Sequence, residues 1–256
     1  MGYSKIIIYG NNLEVYEYEK DIVRLLGRIK RSRKRNPDGE SVEVDGENTL
    51  SRQEKLGKRQ DNARRASLAF RRVVASNLGG STRPVLLTLT YRDNFTDLKG
   101  AYKHFSSFIQ SLRYKFKKTF KYVCVPEFQK RGAVHFHALV WGLSKKLVLQ
   151  ERKTRTLAGI WARGFIYLKE TDGDEKLSFY LSKYMAKAFV DPRLKNQKCY
   201  VASRNVERPE VIVGASPAWP ILEDHGIDES SPVVDREYET KWLGKGRYRL
   251  FKIPHD

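Results

Sequence analysis

The pattern of hydrophobic and polar positions changes its period several times after residue 84, and each change predicts an element. Residues 85–91 read as a strand, whereas residues 101–118 repeat apolar side chains at the i, i+3, i+7 spacing of a helix. Two more strands are predicted at 121–128 and 133–141, and a short connection containing glycine favours a hairpin between them. The pattern then predicts, in order, a helix at 147–163, a strand at 165–168 and a helix at 174–189.

This series has the order β-α-β-β-α-β-α, and its first six elements are the split βαβ arrangement. The arrangement predicts an α+β fold with a central antiparallel sheet of the ferredoxin or RRM kind. We expect the helices to pack on one face of the sheet and to leave the other face free for a ligand. The seventh element is an extra C-terminal helix, and it carries two tyrosines.

The flanking segments suggest three domains. Residues 3–18 read as short strands broken at Gly10-Asn11-Asn12, and a basic stretch at 24–35 ends in a turn signal. A helix is predicted from about residue 51, with apolar residues on one face: Ala63, Ala66, Phe70, Val73 and Val74. We therefore expect a basic N-terminal extension that includes this helix (1–80), a main domain (81–205) and a C-terminal extension of unknown role (206–256).

Net charge indicates the partner. The 256 residues include 49 Lys and Arg against 30 Asp and Glu, a formal net charge of +19. Such an excess favours a polyanion, most commonly nucleic acid, although a merely soluble basic surface is an alternative. Pairs of arginines two turns apart form a stripe on the first helix that either contacts phosphates or is solvated: Arg64, Arg65, Arg71 and Arg72. Arg131 and Lys187 are further candidates for phosphate contact.

Cysteine content and hydropathy exclude two classes of protein. Cys124 and Cys199 provide neither a disulfide framework nor a CxxC metal motif, which fits a reducing cytoplasm. No apolar run approaches the ~18 residues that would span a bilayer. We expect a cytoplasmic protein without a membrane partner.

Two histidines lie at i and i+2 on one predicted strand. On a strand this spacing points His135 and His137 to the same face, and it points Val134 and its even-numbered neighbours to the other. Either Glu127 or Gln129, on the preceding strand, could lie across from them. Two imidazoles and a carboxylate make a catalytic site for Mn²⁺ or Mg²⁺ plausible, and the absence of thiolates disfavours structural Zn²⁺. The alternative is a pair of surface histidines.

The last predicted helix contains Y-x-x-K twice. At about 100° per residue, Tyr180, Lys183, Tyr184 and Lys187 share one stripe, beside an apolar stripe that starts at Leu177. A tyrosine phenol is protonated at neutral pH, so a metal on the phosphate and neighbouring lysines would be needed to assist its attack on phosphorus. An ordinary amphipathic surface is the alternative.

Three motifs occur in series: Leu87-Thr88-Leu89-Thr90, then Glu127 with His135-Phe136-His137, then Tyr180-Leu181-Ser182-Lys183-Tyr184. The series resembles the HUH endonuclease superfamily, in particular the two-tyrosine initiators of rolling-circle replication in small single-stranded DNA phages and plasmids. The match spans residues 85–189.

The resemblance implies that His135, His137 and Glu127 hold Mn²⁺ or Mg²⁺. It also implies that Tyr180 or Tyr184, assisted by Lys183, attacks an origin phosphodiester and leaves a 5′-phosphotyrosine and a 3′-OH primer. Thr88 and Thr90 would have structural or DNA-contacting roles. The host would be a bacterial or archaeal cell.

Other functions stay open. A relaxase, a single-strand transposase and a non-catalytic nucleic-acid binder with an RRM-like sheet are the alternatives. The chain has no G-x-x-x-x-G-K-[ST] phosphate loop, so we expect unwinding to come from a host helicase.

Overall fold

The computed structural model describes residues 3–20, 52–194, 197–214, 217–240 and 243–254; within these ranges the side chains of 52–56, 58, 152 and 183–187 are outside the description. The strands are, in chain order, β1 (Tyr3–Tyr9), β2 (Asn12–Tyr18), β3 (Val85–Thr90), β4 (Lys121–Phe128), β5 (Val134–Trp141), β6 (Ile166–Glu170), β7 (Val201–Ala202), β8 (Glu210–Val213), β9 (Val234–Thr240) and β10 (Gly244–Lys252). The helices are α1 (Arg52–Ala75), α2 (Leu98–Phe116), α3 (Lys145–Thr154), α4 (Thr156–Trp161), α5 (Lys176–Phe189) and α6 (Trp219–Asp224). A 3₁₀ turn spans Pro192–Leu194.

The chain forms two compact units, and the smaller unit consists of the N-terminal and C-terminal segments of the chain. One unit combines Met1–Lys55 with Arg208–Asp256, and the other is Leu56–Glu207. These boundaries lie elsewhere than after residues 80 and 205, since α1 from Leu56 onward belongs to the central unit and the first strands belong with the last. The basic stretch predicted at 24–35 lies outside the described residues.

The terminal unit contains an antiparallel sheet with the order β8-β1-β2-β10-β9. The predicted break at Gly10 is a tight hairpin, in which Gly10 has a φ of +50° and Tyr9 pairs with Asn12. A small apolar cluster packs on this sheet: Ile6, Leu13, Val15, Ala218, Leu222, Ile227 and Phe251. Sequence analysis did not anticipate this second sheet.

The central unit confirms the predicted α+β class and strand arrangement. Its sheet has the order β6-β3-β5-β4-β7 with every pairing antiparallel, which is the sheet expected of a split βαβ unit. Gly132, at a φ of +96°, closes the predicted hairpin between β4 and β5. The helix expected at 147–163 is two helices, because Arg155 takes a left-handed conformation with a φ of +47°.

Helices cover both faces of the central sheet, whereas the sequence predicted one covered face. The even-numbered side chains of β5, from Val134 to Val140, pack with Phe105 of α2 and Trp161 of α4. On the opposite face, Leu139 and Trp141 of β5 join a second buried cluster with apolar residues of α1 and α5. Its members on these helices are Ala63, Phe70, Val73, Val74, Leu181, Ala188 and Phe189. The apolar stripes of α1 and α5 pack against this part of the second face. The rest of that face is left open by the two helices.

We predict that Leu181→Ala destabilises the central unit by about 2–5 kcal/mol, because it removes a fully buried side chain from between helix α5 and the sheet. Leu181 is 2% exposed. Urea unfolding followed by circular dichroism measures the loss. Leu149→Ala on α3 is the matched control, since Leu149 is 64% exposed and its truncation is expected to cost under about 0.5 kcal/mol. Equal effects of the two variants would contradict the packing of α5 described above.

Candidate active site

Strand register gathers the predicted site on the open part of the second face. His135 pairs with Glu127 of β4 and with Thr90 of β3, and His137 pairs with Thr88 of β3. Directly paired residues of an antiparallel sheet point to the same face. The histidines, Glu127 and both threonines of the first motif therefore share one surface.

His137 is held from both sides. Its Nε2 lies 2.8 Å from Oε2 of Glu127, and its Nδ1 lies 3.2 Å from Oγ1 of Thr88. The His137 side chain is 11% exposed and that of Glu127 is 35% exposed. The imidazole thus has a fixed orientation, and the carboxylate beside it is open to solvent.

His135 is half-buried, and its Nε2 has no hydrogen-bond partner in the described part of the chain. Burial, followed by the nearby charges of His137 and Arg131, lowers the pKa of His135, while Glu127 acts in the opposite direction. A lowered pKa keeps the imidazole neutral at neutral pH, which is the form that binds a metal. A buried ring nitrogen without a hydrogen-bond partner is an unsatisfied polar atom, and a bound ligand would provide the missing partner.

The chemistry of these residues suits a divalent cation, although their side chains do not surround one common metal position. Among the described residues, no three His, Cys, Asp or Glu side chains are gathered closely enough to form a ready cage. The donors are two imidazole nitrogens and a carboxylate, a set that suits Mn²⁺. Glu127 is paired with His137 instead, so binding would require its half-buried carboxylate to turn away from that nitrogen.

The structure separates the two candidates for a third ligand. Glu127 is within β4 and contacts His137. Gln129 lies past the end of that strand, and its Oε1 accepts a hydrogen bond of 3.0 Å from Nε of Arg131. Glu127 is therefore the carboxylate available to the histidines.

Helix α5 packs on the same face as the histidines. Helix α1 lies along one flank of it: Oγ of Ser67 donates to the carbonyl of Ser182 at 3.2 Å, and the Arg71 guanidinium lies 4.8 Å from the centre of the Phe179 ring. Tyr180 is 200° around the helix from Ser182, on the opposite flank. It is 61% exposed and lines a cavity of about 320 Å³ with Leu86 and Lys169.

Other predicted residues of this helix are only partly described. Positions 183, 184 and 187 belong to the backbone of α5, but the side chains of Lys183, Tyr184 and Lys187 lie outside the described residues. Their predicted roles stay predictions.

The arginine stripe of α1 divides into two pairs. Arg64 and Arg65 are exposed, whereas Arg71 and Arg72 are half-buried and Arg71 packs on Phe179. The exposed pair is therefore available for the predicted phosphate contact. Arg131 is also exposed, and its guanidinium is anchored on the carbonyls of Tyr91, at 2.6 Å, and Arg92, at 3.1 Å.

The threonines of the first motif have specific partners that sequence analysis did not identify. Thr88 contacts His137, as described above. Thr90 binds the start of the edge strand: its Oγ1 accepts from the Phe165 amide at 3.1 Å, and its own amide donates to the Phe165 carbonyl at 2.9 Å. The alternation Leu-Thr-Leu-Thr indicated that both hydroxyls share a face, but not which groups they meet.

Comparison with known proteins found one similarity, to a family model over part of the chain. Residues 84–189 match the model of a family described as "Replication-associated protein ORF2/G2P". The matched range contains β3 through α5, and so it includes all three motifs. Neither a curated protein nor a solved structure matches the chain. In the described ranges, none of the helices has the length and apolar character needed to cross a bilayer.

We predict that Thr88→Val weakens Mn²⁺ binding about tenfold or more, because residues that orient a metal-binding histidine typically contribute 10- to 100-fold to affinity. Valine keeps the shape of threonine but cannot hydrogen-bond to Nδ1 of His137. Isothermal titration calorimetry with MnCl₂ measures the change. Thr82→Val, at an exposed position, is the control, and an unchanged affinity in Thr88→Val would refute the positioning role.

Proposed function

We propose that this chain initiates rolling-circle DNA replication by nicking and rejoining single-stranded DNA at an origin through metal-assisted tyrosine attack. One observation carries the proposal: helix α5, with Tyr180, packs on the sheet face that presents His135, His137 and Glu127. The family match over residues 84–189 supports a role in replication.

Tyr180 and the two histidines lie on the same face of the sheet, near neighbouring positions of β3. The Tyr180 cavity includes Leu86 of β3, which is two residues, or about 7 Å along the strand, from Thr88 and its partner His137. A phosphodiester between them could meet a phenol on one side and the histidines on the other. Helical periodicity puts position 184 one turn from Tyr180, on the same stripe.

In the cleavage step the phenol oxygen of a tyrosine forms a bond to phosphorus, and the bond from phosphorus to the 3′ oxygen breaks. The phenol proton is released to solvent, and the departing 3′ oxygen takes up a proton to become the 3′-OH primer. His135, His137 and Glu127 would hold Mn²⁺ or Mg²⁺, which would supply Lewis-acid stabilisation of the charge that develops on the phosphate. Thr88 keeps His137 oriented for this binding. In the reverse reaction the 3′-OH loses its proton and attacks phosphorus, the bond from phosphorus to the phenol oxygen breaks, and the tyrosine takes up a proton as the strand is resealed.

Two tyrosines provide two successive transfers. One of Tyr180 and Tyr184 holds the 5′ end made at initiation, and the other is available to cut at termination. Lys183, between them in sequence, is proposed to neutralise charge on the phosphate. The net charge of +19, with the exposed Arg64, Arg65 and Arg131, favours retention of the DNA strand. Strand separation is assigned to a host helicase.

A second candidate is a non-catalytic binder of single-stranded nucleic acid. It is favoured by two exposed aromatic side chains on the same face: Tyr167 in the edge strand and Phe165 just before that strand. Such a protein would bind DNA without forming a covalent adduct, so a test for that adduct separates the two functions.

We expect wild-type protein with Mn²⁺ and origin single strands to form a covalent protein–DNA product that survives denaturing gel electrophoresis. Tyr180→Phe and Tyr184→Phe should each reduce this product, and the double variant should abolish it, because phenylalanine keeps the ring but has no nucleophilic oxygen. The assay uses 5′- and 3′-labelled strands in parallel to identify the end that stays attached.

The matched control is Tyr114→Phe, since Tyr114 is 78% exposed and lies on α2, which packs on the opposite face of the sheet. We expect it to form adduct at the wild-type level. An adduct that persists in the double variant, or that is lost in Tyr114→Phe, would overturn the assignment of the nucleophile.

We also predict that His137→Ala abolishes metal-dependent cleavage but changes the affinity for single-stranded DNA by less than about threefold, because Lys and Arg contacts to phosphate carry most of the binding. Fluorescence anisotropy at several salt concentrations measures affinity, and a cleavage gel measures activity. If affinity and cleavage fall together, His137 has a role in folding or in DNA binding rather than in the metal site.

A further inference from the structure

The edge strand β6 and the residue just before it continue the site surface with two exposed aromatic rings. Tyr167 pairs with Thr88, which pairs with His137, so these three side chains form one row across the sheet. Phe165 lies beside Thr90, which pairs with His135 and so forms the adjacent row. Phe165 is 69% exposed and Tyr167 is 60% exposed. We call these two rings the edge platform.

The edge platform has no part in the core. Ile166 and Leu168, the alternate residues of the same strand, pack against the cluster on the opposite face. Among the described residues, neither platform ring stacks on another aromatic ring. Large apolar rings left in solvent beside a candidate active site indicate a ligand surface.

The fixed position of the rings specifies the kind of ligand. Thr90 bonds to both the amide and the carbonyl of Phe165, so the backbone that carries the first ring is tied to the central strands. Two residues along extended backbone separate the Cα atoms of Phe165 and Tyr167 by about 7 Å. That is twice the rise of about 3.4 Å between bases in a duplex strand. Bases that lie on the two rings must therefore be unstacked from each other, which a single strand permits and a duplex does not.

Charge around the edge platform complements a nucleic-acid backbone. Three exposed arginines meet at its Phe165 end: the Arg92 amide donates to the Arg163 carbonyl at 2.8 Å, and the Arg131 guanidinium donates to the Arg92 carbonyl at 3.1 Å. Within the described ranges, none of the three guanidinium groups forms an ion pair with a carboxylate. These cations are available to the phosphates of a strand whose bases lie on the rings.

We propose that Phe165 and Tyr167 bind two successive unpaired bases and thereby position the neighbouring phosphate at His135 and His137. The identity of the ligand as single-stranded DNA rests on the proposed function, but the stacking itself requires no cleavage. Stacking on aromatic side chains is tolerant of base identity, so the edge platform would hold the strand without reading its sequence.

The test measures binding of the full-length chain to fluorescein-labelled oligonucleotides by anisotropy, in EDTA so that no strand is cut. The three ligands are oligothymidylate, an abasic strand of the same length and a duplex of the same length. We expect wild-type protein to bind oligothymidylate more tightly than either of the others. Phe165→Val and Tyr167→Val should each weaken oligothymidylate binding about fivefold or more and leave abasic binding unchanged.

Two controls accompany the valine variants, which keep a residue with high strand propensity. Tyr167→Phe retains the ring and should bind as wild type. Tyr114→Ala removes a ring that is 78% exposed on α2, away from this face, and should also bind as wild type. Sedimentation velocity of each variant reports its oligomeric state.

Several results would overturn the proposal. Oligothymidylate affinity unchanged in the double valine variant is one, and equal wild-type affinity for abasic and normal strands is another. A change in sedimentation without a change in DNA affinity would make the rings a contact between copies of the chain. If base-dependent binding is lost in the valine variants while wild-type protein forms no covalent adduct, the edge platform stands and the proposed nickase fails.

Discussion

The register of strand β5 is the constraint on which the site depends. Val134, Phe136, Ala138 and Val140 are completely buried on one face, and His135 and His137 lie between them on the other. A slip of one residue against β3 would expose four apolar side chains and bury two imidazoles, so the core selects one pairing. That pairing places Thr88 beside His137 and Glu127 opposite His135. It also aligns Tyr167 of the edge strand with the same row.

The second face of the sheet has a covered part and an open part. Toward Trp141 it is a buried surface on which α1 and α5 dock, and toward His135 it is open. Docking of α5 places Tyr180 beside Leu86 of β3, two residues along that strand from Thr88 and its partner His137. Helix α1 holds α5 through the hydrogen bond from Ser67 and through the Phe70–Phe189 ring contact, whose centres are 5.9 Å apart. The residues proposed to act on phosphorus thus lie on packed strands and on a packed helix rather than on loops, which favours a fixed geometry. The open part provides room for a strand of DNA.

Local sequence patterns predicted the elements of the central unit well, because strands and helices have short repeats of apolar side chains that can be read directly from the sequence. Alternation in β5 assigned His135 and His137 to one face, and the 3.6-residue period of α5 gave the buried Leu181. Long-range pairings could not be predicted in the same way. The pairing of residues 3–18 with the C-terminal strands joins segments more than 200 residues apart, and no local period encodes it. The bond between Thr88 and His137, the pairing of Glu127 with His137 and the cover provided by α1 also depend on tertiary contacts.

Tyrosine attack on phosphorus leaves DNA linked to Tyr180 or Tyr184, and peptide mapping identifies which residue carries the link. Trypsin cleaves after Lys183, so Tyr180 and Tyr184 fall in different peptides, 177–183 and 184–187. After reaction with an origin strand, Mn²⁺, nuclease trimming and digestion, mass spectrometry should find the nucleotide mass on one or both of these peptides, attached to tyrosine through a 5′ phosphate. Nucleotide mass on another peptide, or a complete absence of linked nucleotide under conditions that cut the strand, would contradict the account.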